Sequence, residues 1–99
     1  MEKSSFDLDK DYYMSLLTYS NLSALRAKAN NMSQDEFSTR LGMSRQTISN
    51  YETGKTKNWL GFCAIVLFFS RSEVTLNMMK EYGIYDDVIE QILDISKII

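Results

Sequence analysis

The sequence predicts an all-α protein, and three features support this fold class. The 99 residues include no proline and only four glycines, a composition that favours helices over a turn-rich β fold. Short polar residues that can cap helices stand before several apolar segments. After Asn58, apolar residues recur at i, i+3, i+4 and i+7, as on one buried helix face: Phe62, Ile65, Val66 and Phe69.

The first helical pattern runs from Asp9 to Asn30. Ser20-Asn21 offers a new N-cap within it, so the pattern divides into two helices if that cap is used. Asn30-Asn31 ends the pattern, because asparagine tolerates the left-handed conformation that stops a helix.

Two short helices follow across a tight turn. Ser33 and Glu36 have the spacing of a capping box, which opens a helix that reaches Arg40. Gly42 closes this helix, and Ser44 caps the next one almost at once. Helices joined by so short a linker are expected to cross at a steep angle.

The second half of the chain predicts three more helices. Asn58 caps a helix up to Phe69, in which Leu67 and Phe68 add a second apolar side and so predict a second contact surface. A further helix spans about 73–82 and ends at Gly83. Asp86 or Asp87 caps the last helix, and its predicted apolar face consists of Val88, Ile92, Ile95 and Ile99.

Composition argues against several functional classes. The chain has no histidine and one cysteine, so it lacks a Cys/His metal cluster and any Ser-His or Cys-His nucleophile pair. Nothing points to an enzyme, a metal or a cofactor, and Cys63 is expected to be a small buried side chain in a reducing compartment. The longest apolar run is about half of the roughly 20 residues that a membrane span needs. The polar, acidic N-terminus is unlike a signal peptide, so a cytoplasmic protein without a membrane partner is expected.

The charges are unevenly distributed along the chain. Residues 26–71 carry seven basic and three acidic side chains, a net charge of +4. Residues 1–25 carry two basic and four acidic side chains, and residues 72–99 carry two and six, giving −2 and −4. A basic centre suits a surface that faces phosphates, although the excess is small.

The helix after Ser44 divides into two faces at 100° per residue. Ile48 and Tyr51 fall on the inward side. The outward side carries Arg45, Gln46, Ser49 and Asn50. Arginine can donate twice to guanine, and glutamine or asparagine can pair twice with adenine. Ser44 and Thr47 stand at the helix start, where free amides also favour a phosphate oxygen. The alternative is an ordinary solvated polar face.

The segment from about Leu25 to Phe69 resembles the lambda-repressor-like, Cro/cI (XRE) helix-turn-helix domain. The residues that carry the resemblance are Ser33-Gln34-Asp35-Glu36-Phe37, Leu41 to Glu52, Gly54-Lys55 and the apolar set Phe62, Ile65, Val66 and Phe69. The resemblance implies a five-helix DNA-binding domain whose second and third helices form the helix-turn-helix.

The same resemblance implies roles for particular residues. Arg45, Gln46 and Asn50 are expected to reach bases in the major groove, with Ser49 close by. Glu52 is expected to pair with an arginine of the first helix. The residues expected to hold phosphates are Gln34, Ser44, Thr47, Lys55 and Lys57.

Two departures from the family pattern leave alternatives open. Arg26 stands one residue further from Gln34 than the family arginine does, so either Arg26 or Lys28 is the expected partner of Glu52. The proline common before the fourth helix is replaced by Asn58-Trp59, and Trp59 is either a core residue or part of a subunit contact.

The sequence thus predicts three parts: an acidic helical extension at 1–20, the helix-turn-helix domain at 21–71 and an acidic helical tail at 72–99. The apolar residues of the tail either form a dimer interface or pack on their own domain. The expected function is sequence-specific DNA binding as a homodimer on a palindromic operator, with repression of transcription. The alternative is an antitoxin-like interaction protein of the same fold whose tail binds a protein partner.

Overall fold

The computed structural model describes residues 8–18 and 20–93, and within these ranges all regular structure is helical. The helices in chain order are α1 (Lys10–Ser15), α2 (Asn21–Lys28), α3 (Gln34–Leu41), α4 (Arg45–Thr53), α5 (Trp59–Ser70), α6 (Glu73–Tyr82) and α7 (Asp87–Leu93). The predicted all-α class is confirmed.

Three helices begin at the polar residues that the sequence marks as caps. Ser33 Oγ accepts a hydrogen bond from the Glu36 amide at 3.0 Å, and Ser44 Oγ accepts one from the Thr47 amide at 3.0 Å. Asn58 Oδ1 accepts from the Gly61 amide at 3.2 Å. Each bond satisfies an amide of the first turn that has no partner inside its helix, so the cap determines where the helix starts.

The pattern that begins at Asp9 does divide near Ser20, but by a different contact from the predicted cap. Ser20 has a positive φ of 77°, and its side chain makes no capping hydrogen bond. Asn21 Nδ2 instead donates to the Leu16 carbonyl at 2.8 Å, across the break. At the other end of α2, Asn30 and Asn31 take φ values of 64° and 55°, the left-handed conformation that the sequence predicts.

The hydrophobic core is centred on α5. Its predicted buried face is confirmed, because Phe62, Ile65, Val66 and Phe69 are at most 1% exposed. Helices on both sides of the central segment join the same core: α1 and its exit supply Tyr13, Met14 and Leu17, and the segment from α6 to α7 supplies Met79, Ile84 and Ile89. The helix α6 packs against both α2 and α5.

The predicted apolar face of the last helix is wrong at Val88. Val88 is 40% exposed, whereas Ile89 is 1% exposed. Asp86 caps the helix through the Ile89 amide at 3.0 Å, and its other carboxylate oxygen accepts from the Tyr13 hydroxyl. These two bonds hold the helix start in a rotation that turns Ile89, rather than Val88, to the core. Ile95 and Ile99 lie outside the described residues.

Trp59 packs against the core at the start of α5. Its ring stacks on Phe62 at 4.8 Å between centroids, and the Lys10 ammonium lies 5.8 Å from the centre of the Trp59 ring. This is within the range of a cation–π contact. The residue that replaces the family proline therefore joins α1 to α5.

The contact between α4 and α5 depends on Gly61. The Tyr51 hydroxyl donates to the Asn58 carbonyl, which places the phenol ring across the first turn of α5. A Cβ atom on residue 61 would lie 2.0 Å from the Tyr51 hydroxyl oxygen and 2.9 Å from Cζ. Only glycine allows the helices to approach this closely.

Gly61→Ala should therefore destabilise the protein, by about 1–3 kcal/mol, since the added methyl group must push Tyr51 or α5 out of place. Urea unfolding measures the change. Tyr51→Phe removes the atom at 2.0 Å, so the loss caused by Gly61→Ala should be smaller in the Tyr51→Phe background. Strict additivity of the two changes would contradict the proposed contact.

Tyr13 couples α1 to the start of α7 through Asp86 and should make the stability of the protein depend on alkaline pH. Burial, and then the hydrogen bond to Asp86, raise the pKa of Tyr13 from 10.0 to about 12. Between these values the unfolded chain loses the phenol proton while the folded protein retains it. The contribution to stability is complete below pH 10 and is lost as the pH rises toward 12.

In Tyr13→Phe, the free energy of unfolding should fall less steeply between pH 10 and pH 12, as measured by urea titrations across that range. An unchanged slope in Tyr13→Phe would refute the coupling.

Candidate nucleic-acid interface

The helices α3 and α4 pack on each other across a turn of Gly42, Met43 and Ser44. Gly42 ends α3 with a φ of 68°. The Met43 amide then donates to the Ser38 carbonyl at 2.9 Å, which folds the chain back over the end of α3. Ser38 is buried and small, so it leaves room for this approach. The turn thus fixes where α4 begins.

The two faces predicted for α4 are present. Ile48 is fully buried and Tyr51 is 1% exposed. On the opposite side, Arg45 and Gln46 are exposed, whereas Ser49 and Asn50 are half-buried. The buried pair anchors the helix to the core and directs the polar side chains outward.

A hydrogen-bonded network joins α2, α3 and α4 behind that outward face. Arg26 Nε donates to Glu52 Oε2 at 2.8 Å, and Gln34 Nε2 donates to Glu52 Oε1 at 2.9 Å. The Gln34 Oε1 atom in turn accepts from Arg45 Nε at 3.4 Å. The charged side chains at its centre, Arg26 and Glu52, are only 14% and 16% exposed. Solvent therefore screens this ion pair much less than a surface pair.

Glu52 pairs with Arg26 even though Arg26 stands one residue further from Gln34 than the family pattern has it. Arg26 Nη1 donates to the Met32 carbonyl at 2.8 Å, which ties the left-handed Asn30-Asn31 turn back to α2. The turn absorbs the additional residue, and Arg26 remains within reach of Glu52. Lys28, the other predicted partner, is exposed at the end of α2.

The outward side chains of α4 contact one another and their neighbours. Gln46 Nε2 donates to Asn50 Oδ1 at 3.0 Å, one helical turn along. Arg45 Nε lies 3.8 Å from Asp35 Oδ1, and both side chains are more than half exposed. Exposed contacts of this kind contribute about 0–1 kcal/mol. They can therefore be exchanged for contacts to a ligand at little cost.

The predicted phosphate-binding residues surround the start and end of α4. The Ser44 and Thr47 hydroxyls lie 2.8 Å apart at its first turn, and Gln34 keeps one amide hydrogen beyond its bond to Glu52. Lys55 and Lys57 are exposed after the helix. Lys57 Nζ lies 3.5 Å from Asp11 Oδ1.

Two carboxylates near this surface were missed in the sequence-based prediction. Asp35 lies beside Arg45, and Asp11 lies beside Lys57. Asp35 stands in the capping box that opens α3, so its proximity to α4 could have been inferred from the helix-turn-helix spacing. The approach of Asp11 depends on how α1 packs, which no local pattern reveals.

Metal and membrane sites are not found in the described part of the chain. No three His, Cys, Asp or Glu side chains among residues 8–18 and 20–93 are grouped as metal ligands would be. None of the helices described there has the length and apolar character to cross a membrane.

Comparison with known families finds a match for the central segment of the chain. Residues 22–57 match the family model described as helix-turn-helix, of the Cro/cI (XRE) type. The matched range runs from α2 through α4 to the exit after Gly54, which is the part that carries the network and the outward face. No curated protein and no solved structure matches the chain.

This segment is therefore a Cro/cI-type helix-turn-helix within an all-helical fold. The family supports DNA binding and transcription regulation as the general role of the protein.

The contribution of the network to stability can be tested by comparing its buried ion pair with an exposed one. Glu52→Gln removes the charge that faces Arg26 and should lower the free energy of unfolding by about 2 kcal/mol. Glu36→Gln is the matched control, because Glu36 meets Arg40 at 3.9 Å with both side chains more than half exposed. Its effect should stay within about 0.5 kcal/mol. Equal urea midpoints for the two variants would show that the network adds nothing to stability.

Proposed function

We propose that the protein is a sequence-specific DNA-binding regulator of transcription that inserts α4 into the major groove. The observation that carries the proposal is the division of α4: Ile48 and Tyr51 are buried, while the opposite face presents forked polar side chains to solvent. The residues that read bases are Arg45, Gln46, Ser49 and Asn50. A surface helix that only needed solubility would not require this combination of bidentate donors and acceptors.

Phosphate contacts hold α4 in the groove. The residues with this role are Gln34, Ser44, Thr47, Lys55 and Lys57. The Ser44 hydroxyl already accepts from the Thr47 amide, and the remaining amides of the first turn of α4 favour a phosphate oxygen through the helix dipole. Asp35 and Asp11 modulate this surface, because each carboxylate must give up its contact with Arg45 or Lys57 when DNA arrives.

The protein acts as a homodimer on a palindromic operator and represses by occupying the site that polymerase needs. A single α4 reaches only a few base pairs, so specificity requires two half-sites about one helical turn apart. Two-fold symmetry in the protein then matches two-fold symmetry in the DNA. The location proposed for this role is the cytoplasm, and no cofactor is proposed for DNA binding.

The antitoxin-like alternative is less well supported than DNA binding. It requires the tail to offer an apolar surface to a protein partner. In the described part of the tail, up to Leu93, Met79, Ile84 and Ile89 are at most 1% exposed because they belong to the core of their own chain.

Selection of bound duplexes from a random DNA pool tests the proposal. We expect enrichment of an inverted repeat whose half-sites contain guanine and adenine at the positions that Arg45 and Gln46 reach. Absence of any enriched sequence would overturn the proposed function.

Two single variants should separate base reading from phosphate binding. On the selected duplex, Arg45→Ala should cost about 1–3 kcal/mol and relax the preference for one base pair. Lys55→Ala should weaken binding to all duplexes alike and reduce the slope of log affinity against log salt by about 1. Fluorescence anisotropy on the selected and scrambled duplexes at several salt concentrations measures both. An Arg45→Ala protein with wild-type affinity and preference would exclude Arg45 as a reading residue.

A further inference from the structure

A groove opens where the ends of α2 and α5 meet the start of α6. It has a volume of about 440 Å³, and the residues that line it are Lys28, Ala29, Phe68, Phe69, Arg71, Ser72, Val74 and Thr75. We call it the α2–α6 groove. None of these residues belongs to the surface of α3 and α4 proposed for DNA, so the groove requires an explanation of its own.

The floor of the α2–α6 groove is apolar. Phe69 is 1% exposed, and Phe68 lies half-buried beside it. Their rings meet edge to face, with the centroids 5.2 Å apart. Val74 adds an apolar side chain that is 51% exposed. The groove therefore presents both ring and aliphatic surface to whatever enters it.

The walls of the groove are held by contacts that exist before any ligand arrives. Thr75 is 3% exposed, and its hydroxyl donates to the Phe69 carbonyl, which ties the start of α6 to the end of α5. On the other side, Phe69 stacks on Phe37 of α3 with the centroids 5.2 Å apart. Sites for small molecules are usually pre-formed in this way.

Two cations stand at the groove without a partner of opposite charge. Lys28 lies in the last turn of α2, Arg71 directly follows α5, and both are exposed. Neither forms an ion pair with any residue that the structure describes, and no described carboxylate lines the groove. By contrast, the cleft between α1 and α4 contains Lys57, which Asp11 already neutralises. The α2–α6 groove thus offers uncompensated positive charge beside apolar surface.

We propose that the α2–α6 groove binds a small amphipathic carboxylate, whose apolar body lies on Phe68 and Phe69 and whose carboxylate is held by Lys28 and Arg71. The site goes beyond the proposed DNA-binding function. A guanidinium can donate two parallel hydrogen bonds to a carboxylate, and lysine adds a second positive charge. The apolar floor disfavours a ligand that is charged throughout, because its polar groups would lose water there without new hydrogen bonds.

The size of the groove suits a small molecule rather than a segment of another protein. Pockets for small molecules typically have about 300–1,000 Å³, and this groove has about 440 Å³. Two turns of a helix about 10 Å wide would occupy roughly 850 Å³. Addition of a peptide strand needs a sheet edge, and residues 8–18 and 20–93 contain no strand.

Decanoate is a suitable probe of the groove, and isothermal titration calorimetry measures its binding. Decanol has the same chain without the charge, and inorganic phosphate has charge without the chain. Each should bind at least about tenfold more weakly than decanoate, since each lacks one of the two contacts. Equal affinity for decanol would remove the role of the cations, and equal affinity for phosphate would remove that of the floor. Either result would overturn the proposal, as would a complete absence of decanoate binding.

The position of the probe can be read from ¹⁵N-labelled protein. Decanoate should shift the amides of residues 28–29 and 68–75 most. Leu60 and Leu67 are also exposed apolar residues of α5, at 79% and 45%, and they provide a competing surface without a cation. Shifts centred on Leu60 rather than on the groove would overturn the assignment.

Charge-removing variants test the two cations. Lys28→Gln and Arg71→Gln should each weaken decanoate binding about tenfold, because each removes a charged donor to the carboxylate. Lys80→Gln is the matched control, since Lys80 is an exposed lysine of α6 that does not line the groove. It should keep the wild-type affinity. Unchanged affinity in the double variant Lys28→Gln with Arg71→Gln would contradict the proposed site.

DNA binding separates this site from a phosphate contact. The double variant Lys28→Gln with Arg71→Gln should bind the selected duplex with wild-type affinity and the same dependence on salt. A slope of log affinity against log salt reduced by about 2 would assign both cations to DNA and overturn the carboxylate site. Failure of every duplex to bind would reject the proposed function alone, because the decanoate titrations need no DNA.

Discussion

The packing of Tyr51 on Gly61 is the contact on which the rest of the arrangement depends. Tyr51 belongs to α4, and Gly61 lies in the first turn of α5, so this contact places the helix of the candidate DNA surface against the centre of the core. Burial of Tyr51 and Ile48 contributes about 1.5–3 kcal/mol for each side chain. The two residues therefore determine which way Arg45, Gln46 and Asn50 point.

The Glu52 network fixes the rotation of α4 against its neighbours. Packing alone would hold the helix against α5 while allowing small rotations, whereas hydrogen bonds have fixed directions. Glu52 accepts from Arg26 of α2 and from Gln34 of α3, so both neighbouring helices hold α4. Gln34 also accepts from Arg45, and this bond connects the interior network to a side chain of the outer surface.

The outer surface is held less firmly than the interior, which suits a surface that must exchange partners. Gln46 and Asn50 bond to each other, and Arg45 lies near Asp35, in positions open to water. Such contacts contribute little to stability. The DNA contacts proposed for this surface can replace them without disturbing Ile48, Tyr51 or Glu52, so the proposed base-reading groups are oriented by the core and remain available.

Local patterns predicted much of the fold. The caps at Ser33, Ser44 and Asn58 and the stripe of α5 follow from residue type and helical spacing, and all are present. The burial of Ile89 in place of Val88 could not be predicted, since it depends on the long-range bond from Tyr13 to Asp86.

At the candidate site, too, local features could be predicted from the sequence and long-range contacts could not. The faces of α4 follow from its periodicity, whereas the proximity of Asp11 to Lys57 depends on tertiary packing. Glu52 pairs with Arg26 rather than Lys28 because of the left-handed turn at Asn30-Asn31. The geometry of that turn cannot be derived from sequence spacing alone.

The most direct test of the central claim is an NMR titration of ¹⁵N-labelled protein with a duplex from the selected pool. We predict that the largest amide shifts fall on residues 44–50 and on Gln34, with smaller shifts at Lys55 and Lys57. Amides of α6 and α7 should change little. Large shifts confined to α6 and α7, with α4 unchanged, would contradict the claim that the anchored α4 is the surface that reads DNA.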